Sequence, residues 1–473
     1  MAVREHILLS DRSLFPTLDE RRGHEAYLSA LLVEAEQRVS RGPVTPTFDR
    51  ESFRRELKAF DFARGIPIED LLTWTVSRLE VGLAHVNHPR YFGLFNPAPT
   101  FPAQCADRIA AVFNPQLATA TTSPAAVEIE SHVIKAVARR AGLGDNAGGH
   151  FTSGGSEANY TGLICALTHA EPSFIVAGSR AFPGQPVFYI SQDSHLAWIK
   201  IAHQAGVGRA AVRLIGTDGS GRMSLSALTS AINADRAEGH IPFMVVATAG
   251  TTNAGMVDPL HACAEIARSN DLWYHIDAAW GGALIASDRL RGLVAGIEQA
   301  DSITIDAHKW LAVTMGCGMF LTRRLSVLST AFGVSASYMP SYAPGIDPYV
   351  TSAQWSRRFL GLRLFLSLGS GGWAAYASHV ERAVELARLL VRHAVKRQWS
   401  VSNEPALAVA CIEPPPGSAP VRDIVKRVLS SGDAWISAAD FEGRDVIRIC
   451  VTHGETTPSD VVAVVELLEN ARC

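Results

Sequence analysis

From residue 103 to residue 323 the chain alternates between helical stretches and short, near-continuous apolar runs. The runs are PVFYIS (186–191), PFMVVAT (242–248), LWYHI (272–276) and MFLT (319–322), each bounded by turn-forming residues. Around them, residues 124–141, 157–169 and 258–270 carry helical spacing. A strand that is apolar on both faces has to be covered on both. The alternation therefore predicts an α/β layer with helices on each side of a sheet. Ligands of such sheets gather beyond the strand ends, where the loops converge.

A chain of 473 residues has room for about two or three domains. With 47% hydrophobic and 19% charged residues it reads as a compact globule rather than a disordered polymer. A net charge of −3 offers no basic field for nucleic acid or an anionic membrane. The opening MAVREHILLSDRS lacks a signal-peptide core of adequate length, and the most apolar stretch, 311–321, is too short to span a bilayer. Seven scattered cysteines without a CxxC pair predict reduced thiols in a cytoplasm, and no ligand spacing indicates a metal.

Three domains are expected. Residues 1–85 form a helical arm, with helices at 24–41, 51–60 and 68–86. The arm has no evident core of its own, which fits packing on a second subunit as well as packing on its own body. Residues 86–365 form the large domain and 366–473 a smaller α/β domain. The segment HPRYFGLFNPAPTFP (88–102) is too rich in proline for a helix and is either an apolar pocket wall or a packed connector. Residues 332–356 read as a long loop, and 357–397 as a long helical region. Near the C-terminus a helix (421–430) and a strand (445–451) precede a final helix, with Thr457 as cap, Pro458 in first position and Asp460 in the first turn.

Within DSITIDAHKWLAVTMGCG (301–318) a strand-like run delivers Asp306, His308 and Lys309 into apolar sequence. Lysine is rarely enclosed without a partner or a purpose, and desolvation favours the neutral, nucleophilic amine. Taken alone, a lysine snorkelling from a strand end is the commoner reading. The other five lysines, at 58, 135, 200, 396 and 426, lie in stretches that read as exposed helix faces. TSGGSEAN (152–159) precedes a helix and could cradle an anion on free backbone N–H groups, though many helices begin with Gly and Ser. It is neither a Walker loop nor a GxSxG elbow. Asp277 ends an apolar strand and is either a counter-ion or a turn residue. Thr252 in AGTT (249–252) and His195 in DSH (193–195) follow other strands, where turn-capping or structural roles also fit. Taken together, an amine nucleophile, an anion cradle, a carboxylate and a histidine meet the requirements of pyridoxal 5′-phosphate.

In this order the motifs resemble the group II amino-acid decarboxylases, which include aromatic-L-amino-acid decarboxylase and glutamate decarboxylase, within fold type I of the pyridoxal-phosphate enzymes. The resemblance runs through HPRYF (88–92), TSPAAVEIE (122–130), TSGGSEAN, DSH, AGTTNAGMVD (249–258), HIDAAW (275–280), DAHKW (306–310) and DVIRICV (445–451). It implies a large domain with a mostly parallel seven-stranded sheet, an N-terminal helical arm, a small C-terminal α/β domain, and a homodimer with its active site near the subunit boundary.

The resemblance also implies residue roles. Lys309 would hold the cofactor covalently. Gly155 and Ser156 would bind its phosphate, Asp277 its ring nitrogen, and His195 and Ala279 its two faces. Thr252 would line the ring's substituent side, and His308 would neighbour the lysine. Tyr349, after Gly-Ile-Asp in the long loop, would protonate the product. The family pattern often has asparagine where this chain has Asp306, so a direct phosphate contact by that carboxylate is not expected.

The activity implied is decarboxylation of an L-amino acid to its amine. Trp310, TSPAAVEIE and the candidate substrate residues Phe95 and Pro97 favour an aromatic or bulky apolar substrate. HPRYF, with Arg90, keeps an acidic amino acid as the alternative. Oxidative aldehyde formation and a catalytically silent binding protein are the remaining readings.

Overall fold

The computed structural model describes residues 14–334, 339, 347–404 and 407–473. Its centre is the expected layer. The seven strands are β1 (Gly148–Thr152), β2 (Pro186–Ser191), β3 (Val212–Ile215), β4 (Ile241–Thr248), β5 (Trp273–Asp277), β6 (Ser302–Asp306) and β7 (Gly318–Thr322), in the order β1-β7-β6-β5-β4-β2-β3. Strands β6, β5, β4, β2 and β3 run parallel, and β7 is antiparallel to both β6 and β1. Every residue of β2, β5, β6 and β7 is buried, as two-sided cover requires.

The arm contains α1 (Leu18–Arg41), α2 (Arg50–Leu57) and α3 (Ile68–Gly82). A capping box between Thr17 and Glu20 starts α1 six residues earlier than its apolar spacing indicates. Arg38 and Glu80 join α1 to α3 at 2.7 Å. Among the helical residues of the arm only Ala35 is buried, while Leu32, Val33, Leu79 and Val81 are exposed.

The remaining helices used below are α4 (Phe101–Phe113), α5 (Pro124–Arg140), α6 (Gly155–Ala170) and α7 (Gly361–Val395). α6 crosses the sheet closely enough that a Cβ on Gly162 would come within 2.9 Å of His275 Nδ1. α7 is interrupted at Gly372, where φ is +64° and ψ is 178°. The domain boundary expected between residues 365 and 366 falls inside this helix.

The smaller sheet is antiparallel, with strands β8 (Ser400–Val401), β9 (Val409–Glu413), β10 (Ser437–Phe441) and β11 (Arg444–Cys450) in the order β10-β11-β9-β8. It has its own apolar core with the helices Val421–Ser431 and Pro458–Ala471, the latter opened by a Thr457–Asp460 capping box. Phe92 also lies in this core, and its N–H donates to Trp435 O at 2.8 Å. The HPRYF segment therefore belongs to the packing of the small sheet while its continuation reaches the large one.

A buried ion pair fixes the start of α7. Arg357 Nη1 lies 2.6 Å from Glu130 Oε2, and Glu130 Oε1 accepts the Gly361 N–H at 2.9 Å. Glu130→Ala would leave the Arg357 cation buried and unpaired, so it is expected to destabilise the protein by about 3–5 kcal/mol. A denaturation midpoint equal to that of the parent chain would show that the pair contributes nothing net.

Candidate active site

The parallel strands converge on one cavity of about 340 Å³, and nearly every strand end sends a side chain into it. Lys309, His308 and Asp306 come from the end of β6, Asp277 and Ala279 from β5, Thr252 from beyond β4, and His195 from beyond β2. Gly155 and Ser156, at the N-terminus of α6, close the same cavity from the β1 side. Phe95 and Trp280 form an aromatic wall, with ring centroids 4.5 Å apart and planes at 19°.

Pro97 and Tyr349, both expected at the site, do not line this cavity. Phe95, stacked on Trp280, takes up the wall, and Pro97 is buried outside the lining. Tyr349 is held to one side by its neighbours: its N–H donates to Ala118 O at 3.2 Å, and Asp347 Oδ1 accepts the Ala120 N–H at 2.8 Å. Its ring packs on Trp355 at 4.7 Å. Much of the loop that precedes it, residues 335–338 and 340–346, lies outside the described residues.

Asp277 is the end of a directional hydrogen-bond chain. Trp273 Nε1 can only donate, and it does so to Ser302 Oγ at 2.8 Å. The Ser302 hydroxyl is then free to donate to His275 Nδ1, 2.8 Å away. That puts the imidazole proton on Nε2, which faces Asn159 Oδ1 at 3.1 Å. The Asn159 amide accordingly turns its Nδ2 to donate to Asp277 Oδ2 at 2.8 Å. Burial pushes the His275 pKa down to about 4, so the ring is neutral and can act in this order. The other Asp277 oxygen accepts the Ala279 N–H at 3.2 Å. Every bond treats Asp277 as an acceptor, which suits an ionised carboxylate. Asn159 was not singled out from sequence, although its place one helical turn beyond Gly155 puts it on the same face.

A second support lies under β4. Asp258 accepts the N–H groups of Thr248 and Met223 at 2.7 and 2.8 Å, and burial pushes its pKa up to about 6. Thr248 Oγ1 is 2.8 Å from Ser194 Oγ, so the β4 end fixes the turn that carries His195.

At the β6 end, Lys309 Nζ lies 3.3 Å from Asp306 Oδ2 and 5.7 Å from the Phe95 ring centroid. It is the only lysine that is not exposed; the other five are. Arg90 is far from this chemistry in its bonding: its Nε is 3.0 Å from Asp460 Oδ1. Arg448, within DVIRICV, was also missed as an individual residue. It donates to Thr252 O and Gly93 O at 2.8 and 2.7 Å, with its guanidinium carbon 4.7 Å from the Phe95 ring centroid. Its Nη2 is buried without a hydrogen-bond partner among the described residues.

The family model for the pyridoxal-dependent decarboxylase conserved domain matches residues 62–412. The chain belongs to the pyridoxal-dependent decarboxylases. It is 28% identical over 448 residues to the aromatic-L-amino-acid decarboxylase of Bacillus atrophaeus, covering 92% of each chain. It is 34% identical over 333 residues to the cysteine sulfinic acid decarboxylase of Mus musculus, covering 68% of this chain and 66% of that one. The crystal structure of mouse CSAD in apo form matches with a TM-score of 0.90 and 26% identity, over 96% of this chain and 99% of that one.

This decarboxylase is a carboxy-lyase acting on an amino acid with pyridoxal 5′-phosphate as cofactor. Its cavity suits that group. The backbone at Gly155 has no room for a side chain, since a Cβ would meet Asp306 Oδ2 at 2.9 Å, and the α6 N-terminus beside it offers free N–H groups to an anion. Asp277 would supply an acceptor for a protonated ring nitrogen, and Lys309 would supply the amine. Among the described residues no helix is long and apolar enough to cross a membrane.

Proposed function

We propose that this decarboxylase converts an aromatic or bulky apolar L-amino acid to its amine and carbon dioxide. Pyridoxal 5′-phosphate, when bound, supplies a conjugated ring that accepts the electron pair left as carbon dioxide departs. Lys309 would hold that group covalently, and Gly155 and Ser156 would hold its phosphate. Asp277 would keep the ring nitrogen protonated, with His195 and Ala279 against the ring and Thr252 at its edge. His308 would sit beside the attachment point. Among the lining groups, His195 and Lys309 are the candidates for returning a proton to Cα, since Tyr349 packs outside the lining.

The observation that carries the substrate class is the wall. Phe95 stacked on Trp280 presents aromatic surface, and among the described residues the only cationic side chains in the lining are Lys309 and the two imidazoles when protonated. An acidic side chain would want a further cation, and Arg90 is engaged with Asp460. The orphan Nη2 of Arg448, behind Phe95, favours acidic amino acids as a second reading, in keeping with the similarity to cysteine sulfinic acid decarboxylase.

A panel of L-amino acids distinguishes them. Carbon dioxide and amine release are expected from phenylalanine, tyrosine or tryptophan, and little from glutamate, aspartate or cysteine sulfinate. The reverse ranking would sink the aromatic assignment. Aldehyde and ammonia measured in the same assays separate simple decarboxylation from its oxidative variant.

We further propose a homodimer, because the exposed apolar side chains of α1 and α3 lack cover among the described residues. All seven cysteines are free thiols, which fits a cytoplasmic setting.

A further inference from the structure

The surroundings of Asp306 give its carboxyl a use. It is 3% exposed. Its Oδ2 lies 3.3 Å from Lys309 Nζ and 3.8 Å from His308 Nε2, while Oδ1 is buried without a hydrogen-bond partner among the described residues. The glycine turn that opens α6 lies directly against it: a Cβ on Gly155 would be 2.9 Å from Oδ2 and 3.3 Å from Oδ1. One carboxyl thus touches both the amine that attaches the cofactor and the cradle suited to its phosphate.

We propose that Asp306 accepts the proton Lys309 must lose during cofactor loading, and that the proton it gains leaves it neutral beside the phosphate. The inference rests on Lys309 being the attachment point.

An ammonium has no electron pair with which to attack a carbonyl. The proton moves from Lys309 Nζ to Asp306 Oδ2. The freed pair then bonds to the aldehyde carbon. The two hydrogens left on nitrogen depart with the carbonyl oxygen as water, leaving a C=N bond. Loading also removes the cation that balanced Asp306 and brings a phosphate to its side. A carboxylate there would be repelled, and a carboxylic acid is not. Burial already drives Asp306 toward the acid form; Lys309 and His308 oppose it and the charge on Asp277 adds to it. Glu157, on the first turn of α6, is taken up by Ser153 and by Gln354 at 2.7–2.8 Å, so it does not compete for the proton. Asparagine would fill the same volume but cannot accept a proton.

The test uses full-length apoenzyme mixed with pyridoxal 5′-phosphate, with attachment followed by absorbance and by borohydride trapping. Asp306→Asn is expected to slow attachment near neutral pH by about 10²-fold, the lower end for a positioned proton acceptor. The deficit should narrow toward alkaline pH, where lysine amines lose their proton unaided. Inorganic phosphate carries the anion but no aldehyde. In calorimetry it should bind the same variant about tenfold more tightly, because a like charge has been removed. Asp306→Ala should load slowly and be rescued by added formate but not by chloride. A folded Asp306→Asn chain that loads at the parent rate, or binds phosphate no better, overturns the proposal while leaving Lys309 as the attachment point. A parent chain that forms no borohydride-stable adduct overturns both.

Discussion

Lys309→Ala is expected to lower turnover by on the order of 10³-fold or more, since on the proposed reading one side chain supplies both the covalent link and a proton-transfer group. The borohydride-stable adduct should vanish with it. No other lysine can substitute, because the remaining five are exposed and none lines the cavity. Folding should survive, because Lys309 engages only Asp306 and the Phe95 face in strong contacts. The cradle at Gly155 and Ser156 is untouched, so the cofactor should still bind reversibly and wash out on dialysis. Its removal also strips Asp306 of its nearest cation, which favours the neutral acid further. Turnover close to the parent rate, with substrate consumption and amine both measured, would mean that the reaction proceeds without this amine.

The layered core was legible because its strands are apolar on both faces. PVFYIS and LWYHI become β2 and β5 within one residue of their expected ends. β1 was not, because GGHFT carries two glycines and a histidine; it becomes a strand only through pairing with β7, Gly148 opposite Thr322 and Thr152 opposite Gly318. The break in α7 at Gly372 is likewise a matter of one backbone angle inside a helical pattern.

Cavity residues were readable at the strand ends: Asp277 and Asp306 are the last residues of β5 and β6, and Lys309 lies three residues beyond. Their supports were not. Asn159 meets Asp277 across 118 residues of sequence, and Arg448 meets Gly93 across 355. No local spacing encodes such contacts. Tyr349 is a residue read from a loop, and it is placed by what the loop docks on, here Ala118 and Ala120.

Asp277→Asn is expected to reduce kcat by about 10²–10³-fold, the range for removing one preorganised electrostatic group from a site that excludes water. The geometry explains why an isosteric change is so damaging. The chain from Trp273 through Ser302, His275 and Asn159 delivers a donor to Asp277 Oδ2, and the Ala279 N–H delivers another to Oδ1. A carboxylate accepts both and keeps capacity to face a ring N–H. An asparagine must turn its NH₂ toward one of these donors, or toward the ring nitrogen, where it can no longer hold a proton in place. Lys309 remains, so the adduct should still form and the loss should appear in kcat with cofactor content near that of the parent. Ser302→Ala offers a graded check, because it removes the hydroxyl that sets the His275 tautomer without altering the carboxylate. Its effect should be smaller, of the size of one buried hydrogen bond or about 1 kcal/mol. If Asp277→Asn turned over at the parent rate with full cofactor content, the carboxylate would have no part in the electron sink, and the hydrogen-bond chain behind it would be structural alone.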